Sequence, residues 1–219
     1  MFLNTQEKDT FFRLTRWSIY MFITILTTFS LWGYGHAFHD TAFTEHGLVE
    51  NLQLTILSAT TLSFLLFSCK KTPYRGLCFL FGTLCLTAFC RELDAWFDAL
   101  WVLGWQFALF FPVIAIIYIA RHLTDFRKTV VIFCQSSAFF LMYCATIVFG
   151  PVAQCIGHRD FFVDVLGVET DNRLVRRLLE ESVEYIGYIL LLLAAFEFYW
   201  IFIRSKGTLN KQIRKIKRK

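Results

Sequence analysis

The sequence predicts an all-α, polytopic membrane protein, a six-transmembrane-helix bundle with both termini on the cytoplasmic side. Three observations carry that prediction. The 219 residues are 56% hydrophobic and include 26 phenylalanines, with a mean hydropathy of +0.51, which is more apolar than an ordinary soluble domain of this length. Six largely uncharged runs approach the length of about 20 residues needed to cross a hydrocarbon core of about 30 Å. Lysine and arginine gather at alternate ends of those runs, the asymmetry that orients membrane helices.

The runs cover residues 17–34, 48–69, 74–90, 99–120, 129–150 and 183–203. They lack the two-residue alternation of barrel strands, and backbone groups cannot stay unpaired in lipid, so each is expected to be a helix. The first follows a cytoplasmic segment, 1–16. It is long and has no small-x-small cleavage site after it, so it reads as a retained helix rather than a secretory signal. The second is expected to turn Glu50, Ser58 and Thr61 toward the bundle interior, since spacings of eight and three share a helix face. The third is the shortest, and the residues from Arg91 to Asp98 beyond it either prolong the helix or make a tight interfacial turn before the fourth. Outer loops occupy 35–47 and 151–182. Trp17, Tyr34, Trp96, Trp101, Trp105 and Tyr118 fall at segment ends, where aromatic side chains anchor at headgroup level.

Charge sets the orientation. Of the 22 basic residues, 17 fall on one side, eight of them in the tail 204–219, which contains no acid; the other side receives only Arg91, Arg159, Arg173, Arg176 and Arg177. The lysine-rich side is read as cytoplasmic. Thirteen acidic residues and His36, His39, His46 and His158 then lie on the outer side. Basic residues here serve orientation, which argues against a nucleic-acid partner. The expected partners are membrane lipids, with anionic headgroups attracted to the basic C-terminal tail; oligomerisation is left open. The compartment expected is a bacterial inner (plasma) membrane with a periplasmic-facing site. Seven cysteines without a C-x-x-C pattern indicate neither a zinc module nor a disulfide framework. Cys90 and Cys155, both near outer helix ends, read as a disulfide or as an ordinary pair of buried thiols.

The candidate chemistry sits at the outer helix ends. Glu50, Asp94, Glu184 and Tyr188 are the candidate catalytic residues, with Glu184 and Tyr188 one turn apart on a face that enters the bilayer. Arg91, Arg173 and Arg177 suit an anionic substrate group such as phosphate. The bland alternative pairs Arg91 with Asp94, Arg176 with Glu180, and Arg177 with Glu181. His36, His39, Glu45 and His46 can hold a divalent metal such as zinc or manganese, or are solvated loop side chains. Glu197 is the one carboxylate clearly inside a span; it is expected to pair with Arg204 or Arg121, against a role in conduction. The resulting reading is metal-assisted or acid–base chemistry on a lipid or lipid-linked envelope substrate. The alternative is a non-enzymatic component: an ion-conducting oligomer, a sensor or an assembly partner.

Overall fold

The computed structural model describes residues 5–37, 47–100, 102–158, 161 and 173–204. Every regular element among them is helical: α1 (Thr5–Ala37), α2 (Leu48–Ser68), α3 (Arg75–Glu92), α4 (Asp94–Leu100), a 3-10 turn Gly104–Leu109 running into α5 (Phe110–Arg121), α6 (Leu123–Cys134), α7 (Ser137–Ile147), a π-helical turn Val148–Val152 leading into α8 (Ala153–Gly157), and α9 (Arg173–Phe198), which ends in a second π turn, Tyr199–Arg204. Four stretches are long and apolar enough to cross a membrane: Leu48–Ser68, Gly104–Arg121, Ser137–Gly157 and Val175–Phe202.

The last of these is the centre of the molecule. It packs against α1, α2, α7, α8 and the first π turn, and most of its residues are buried, including Tyr188, Leu191, Ala194 and Phe198. Aromatic rings fill the core around it, with Phe198 lying 5.7 Å from Phe64 and 5.8 Å from Phe133 between ring centroids. By contrast α1 and α5 show large apolar side chains outward, among them Phe22, Phe29 and Trp32, and Phe110 and Ile116. An apolar exterior of that extent suits lipid, not water.

Three local departures from the sequence reading matter for the site. On α2 the buried stripe is Val49, Gln53, Leu57, Thr60, Thr61, Phe64 and Ser68; Thr61 joins it, but Ser58 is exposed and Glu50 only half-buried, so the inward face is the Gln53 face. At α3 the helix stops at Glu92 and a new short helix begins at Asp94, so Arg91 and Asp94 do not share a continuous helix face. The apolar run expected over 129–150 is interrupted at Gln135, where the Ser136 hydroxyl caps α7 by accepting from the Phe139 backbone N–H at 3.3 Å. The spanning stretch then continues beyond Gly150. Pro151 has no N–H and crowds the preceding turn, and the strain is absorbed in the π turn, with Gly150 at φ −89°, ψ −105°.

That kink is held against α9 by Gly187. A Cβ there would come within 2.7 Å of the Phe149 backbone nitrogen, so only glycine lets the two helices approach this closely. The contact carries α8, and Gln154 with it, over the start of α9.

Candidate functional site

At the end of α3, Arg91 extends toward α9 and gathers three partners. Its Nη2 donates to Glu92 Oε1 at 2.8 Å and to Glu184 Oε1 at 2.8 Å, and its Nε donates to Glu92 Oε1 at 3.3 Å. The Tyr188 hydroxyl donates to Glu92 Oε1 at 2.7 Å and lies 3.3 Å from Arg91 Nη2. A terminal guanidinium nitrogen has only two hydrogens, so the two short carboxylate bonds use them and the longer tyrosine contact is the weakest member. Tyr188 and Glu184 are buried, while the Arg91 side chain keeps 32% of its exposure.

A second ring of polar groups supports the first. Gln154 Nε2 donates to Glu184 Oε1 at 3.1 Å and to Glu180 Oε1 at 3.3 Å. Gln53, fully buried on α2, donates from Nε2 to the Glu181 carbonyl at 3.0 Å, and Arg177 Nε reaches Glu181 Oε1 at 3.4 Å one turn along α9. Gly157 faces Glu180, and a Cβ there would fall on the carboxylate. One arginine serves two carboxyl groups here, since Arg91 bonds both Glu92 and Glu184. Glu184 Oε1 takes both of that residue's described hydrogen bonds. Its Oε2 makes none among the described residues, which leaves it able to accept a proton or a donor from a ligand.

The cluster adjoins an apolar cavity of about 410 Å³ lined by Phe81, Cys85, Ala88, Trp105, Met142, Leu191 and their neighbours, with Arg91 its one charged lining residue. Two threonines also line it, but Thr87 donates to the Thr83 and Ala108 carbonyls and Thr146 to the Met142 carbonyl. A space of this size, mostly apolar with one polar end and set between helices, has the proportions of a ligand pocket.

The sequence-derived candidates distribute as follows. Arg91, Glu184 and Tyr188 meet. Asp94 is exposed at the start of α4, and Glu50 is half-buried on α2, near enough to Glu181 to act on it electrostatically but outside the Arg91 cluster. Arg177 is engaged with Glu181; Arg173 opens α9, and its side chain lies outside the described part of the structure. His39, Glu45 and His46 also lie outside the described residues, as does the His36 side chain. Among the described residues no three His, Cys, Asp or Glu side chains converge as metal ligands. All seven cysteines are free thiols; Cys90 is buried and Cys155 is exposed.

Glu92, Gln154 and Gln53 were not legible as site residues. A usable signal existed for Gln53, since an amide inside an apolar span requires a partner; Gln154 falls beyond the expected fifth span and carries no such signal. Glu197 corrects another expectation. Among the described residues its partner is not Arg121 but Arg16 of α1, whose Nη2 and Nε reach Oε1 and Oε2 at 3.1 Å each; the Arg204 side chain lies outside the described residues. The Tyr20 hydroxyl at 2.8 Å and the Ser137 hydroxyl at 2.7 Å complete its shell. The fork geometry of arginine favours this bidentate grip over a single contact. No family model matches this chain, and neither a curated protein nor a solved structure matches it.

Proposed function

We propose that the protein crosses the membrane six times, with α1 and α3 joining the four longer apolar stretches, and that the Arg91 cluster faces outward and carries out acid–base chemistry on a lipid or lipid-linked envelope substrate. The observation that carries this reading is the junction of the polar cluster with the apolar cavity at Arg91. An amphiphile has the matching shape, with hydrocarbon in the cavity and its polar group beside Glu184.

The roles follow from the hydrogen bonds. Glu184, through its unengaged Oε2, is the base that takes a proton from a substrate hydroxyl or amine. Arg91 holds Glu184 and Glu92 in place, while Tyr188 fixes Glu92 and limits water entry. Because two carboxyl groups already occupy Arg91, the site favours a substrate whose reacting group is neutral or cationic over one presenting bare phosphate to that arginine. A metal held by the loop of His36, His39, Glu45 and His46 belongs to the same reading as a second, independent element.

The six-span topology is supported by packing and length. α3 lies against both α2 and α5, two helices apolar enough to span, and its 18 residues extend about 27 Å. α1, with 33 residues, reaches about 50 Å. The lysine and arginine asymmetry supports an orientation with both termini and the basic tail in the cytoplasm and anionic headgroups at that tail, and the proposed setting is a bacterial inner membrane. The conducting alternative has less support, because Glu197, the deep carboxylate, is closed off by four protein donors.

The test is to incubate purified protein in vesicles of the source organism's total lipid extract and follow lipid species by mass spectrometry. Wild type is expected to consume one species and Glu184→Gln, folded to the same extent, to consume none. An unchanged lipid profile with wild type would overturn the enzymatic reading. Protease mapping that placed the His36 loop beside the C-terminal tail would overturn the orientation.

A further inference from the structure

At the other end of α3 a second cavity, of about 440 Å³, opens between the start of that helix and the α5–α6 corner, and no part of the Arg91 site touches it. Its charged lining is Arg75, Lys128 and Asp125, and His122 also lines it. Arg75, Asp125 and Lys128 are exposed, and among the described residues none of them makes an ion pair. The Arg75 guanidinium lies 5.8 Å over the Tyr118 ring, a contact that positions the cation without neutralising it. His122 Nδ1 lies 2.9 Å from the Tyr118 carbonyl. A carbonyl can only accept, so Nδ1 bears the proton and Nε2 is left for another partner.

Two further features call for an oxygen ligand. Thr72 lines the cavity, and its hydroxyl is buried without a hydrogen-bond partner among the described residues, although buried hydroxyls are ordinarily paired. The first turn of α3 contributes Arg75 and Gly76 to the same wall, with no side chain capping the helix start, so the partial positive charge of the helix N-terminus adds to the two cations. Ile119, Phe126 and Ile132 give the lining its apolar part, and Thr129, which also lines it, donates its hydroxyl to the Phe126 carbonyl at 2.8 Å.

We propose that this groove is a binding site for an anionic glycerophospholipid, its phosphate between Arg75 and Lys128 with the Thr72 hydroxyl as donor, and the first methylenes of its chains over Ile119, Phe126 and Ile132. Location selects a lipid over a free phosphate ion. The groove lies at the Arg121 end of the spanning stretch Gly104–Arg121, where headgroups are the phosphates at hand, and half of its lining is hydrocarbon. Basic pockets between membrane helices hold anionic headgroups for these reasons. The site does not depend on the chemistry proposed for Glu184.

The experiment is native mass spectrometry of the purified full chain titrated with phosphatidylglycerol, phosphatidylcholine or inorganic phosphate. Phosphatidylglycerol is expected to bind selectively, and Arg75→Gln with Lys128→Gln to weaken it roughly 30-fold, from two lost headgroup contacts. The control is Arg121→Gln with Arg127→Gln, the same charge change on exposed residues outside the groove; it is expected to leave that affinity within a few fold. An equal loss in both double variants would reduce the effect to surface charge and overturn the site. Equal binding of phosphatidylcholine, or displacement of the lipid by inorganic phosphate at similar concentration, would overturn the assigned ligand.

Discussion

The two ends of α3 each present an arginine to a cavity, and the two arginines are in opposite condition. Arg91 is held by two carboxylates, with a tyrosine completing the network, so its own charge is committed to protein partners. Arg75 touches an aromatic ring and no carboxylate. The first arrangement is preorganised: its geometry exists before any ligand arrives, and the excess carboxylate, not the arginine, is the group with spare capacity. The second is receptive, with positive charge awaiting an anion. An arginine at a helix end therefore has no single meaning, and what decides between scaffold and binding site is the number of carboxylates its neighbours bring.

The comparison breaks most directly at Arg91. Arg91→Met would leave the buried Glu184 and the partly buried Glu92 together without their cation, and since removal of one partner from a fully buried ion network costs about 3–5 kcal/mol, this partly exposed one should lose about 2–3 kcal/mol. Thermal unfolding in detergent is expected to show that loss, and Arg91→Lys is expected to recover only part of it because an ammonium cannot reproduce the fork. A melting temperature equal to wild type in Arg91→Met would mean that the cluster contributes no net stability and that Arg91 is as available as Arg75. The same reasoning applies to Arg16→Met, which would strand the fully buried Glu197.

Gly187 tests whether the preorganised end depends on backbone approach. In Gly187→Ala the new Cβ meets the Phe149 backbone rather than a side-chain tip, so one helix must move, and overpacking of this kind costs about 1–3 kcal/mol. The displacement is expected to carry Gln154 away from Glu184 and to lower the turnover proposed for Glu184 more than stability. If turnover and melting temperature are both unaffected, the kinked helix is not what orders the site. Gly157→Ala is a milder companion, since its Cβ would meet the tip of Glu180, which can swing aside.

How much of this was legible depended on distance along the chain. Helical character and the membrane setting follow from composition and run length. Glu184 and Tyr188 emerged because four-residue spacing survives in an unbroken helix, and Arg91 because charge at a helix end is conspicuous. Spacing favours Asp94 over Glu92 only where a helix runs through residue 98, whereas the chain breaks at Leu93. Gln154 lay in a segment read as loop after the fifth span, while the π turn at Pro151 carries the helix on to Gly157. Glu197 was assigned a neighbour in sequence, Arg204, or Arg121, yet its partner lies 181 residues away on α1. Local periodicity holds no information about which distant helix will supply a counter-ion.

A smaller effect is expected from Tyr188→Phe, which removes the hydroxyl bonded to Glu92 while keeping the ring that packs 5.2 Å from Phe149. Glu92 retains its bonds from Arg91, so the cost should be that of one buried hydrogen bond, about 1–2 kcal/mol. A larger destabilisation would show that the tyrosine, and not the arginine, organises the carboxylates.

The smallest stability effect belongs to Arg75, and it is the one that sharpens the contrast. Arg75→Gln removes an exposed side chain that stabilises no carboxylate, so unfolding in lipid-free detergent should shift by no more than about 0.5 kcal/mol. The difference should emerge only when phosphatidylglycerol is added. A ligand that binds the folded state alone raises stability in proportion to the logarithm of its saturation, so wild type is expected to gain melting temperature with lipid and Arg75→Gln to gain markedly less. Arg91→Met should behave inversely, destabilised without lipid yet keeping the full lipid-dependent increment, because the groove is at the far end of the helix. If Arg75→Gln instead proves destabilised in lipid-free detergent, the cation is already engaged by the protein and the two ends of α3 differ less than their carboxylates suggest.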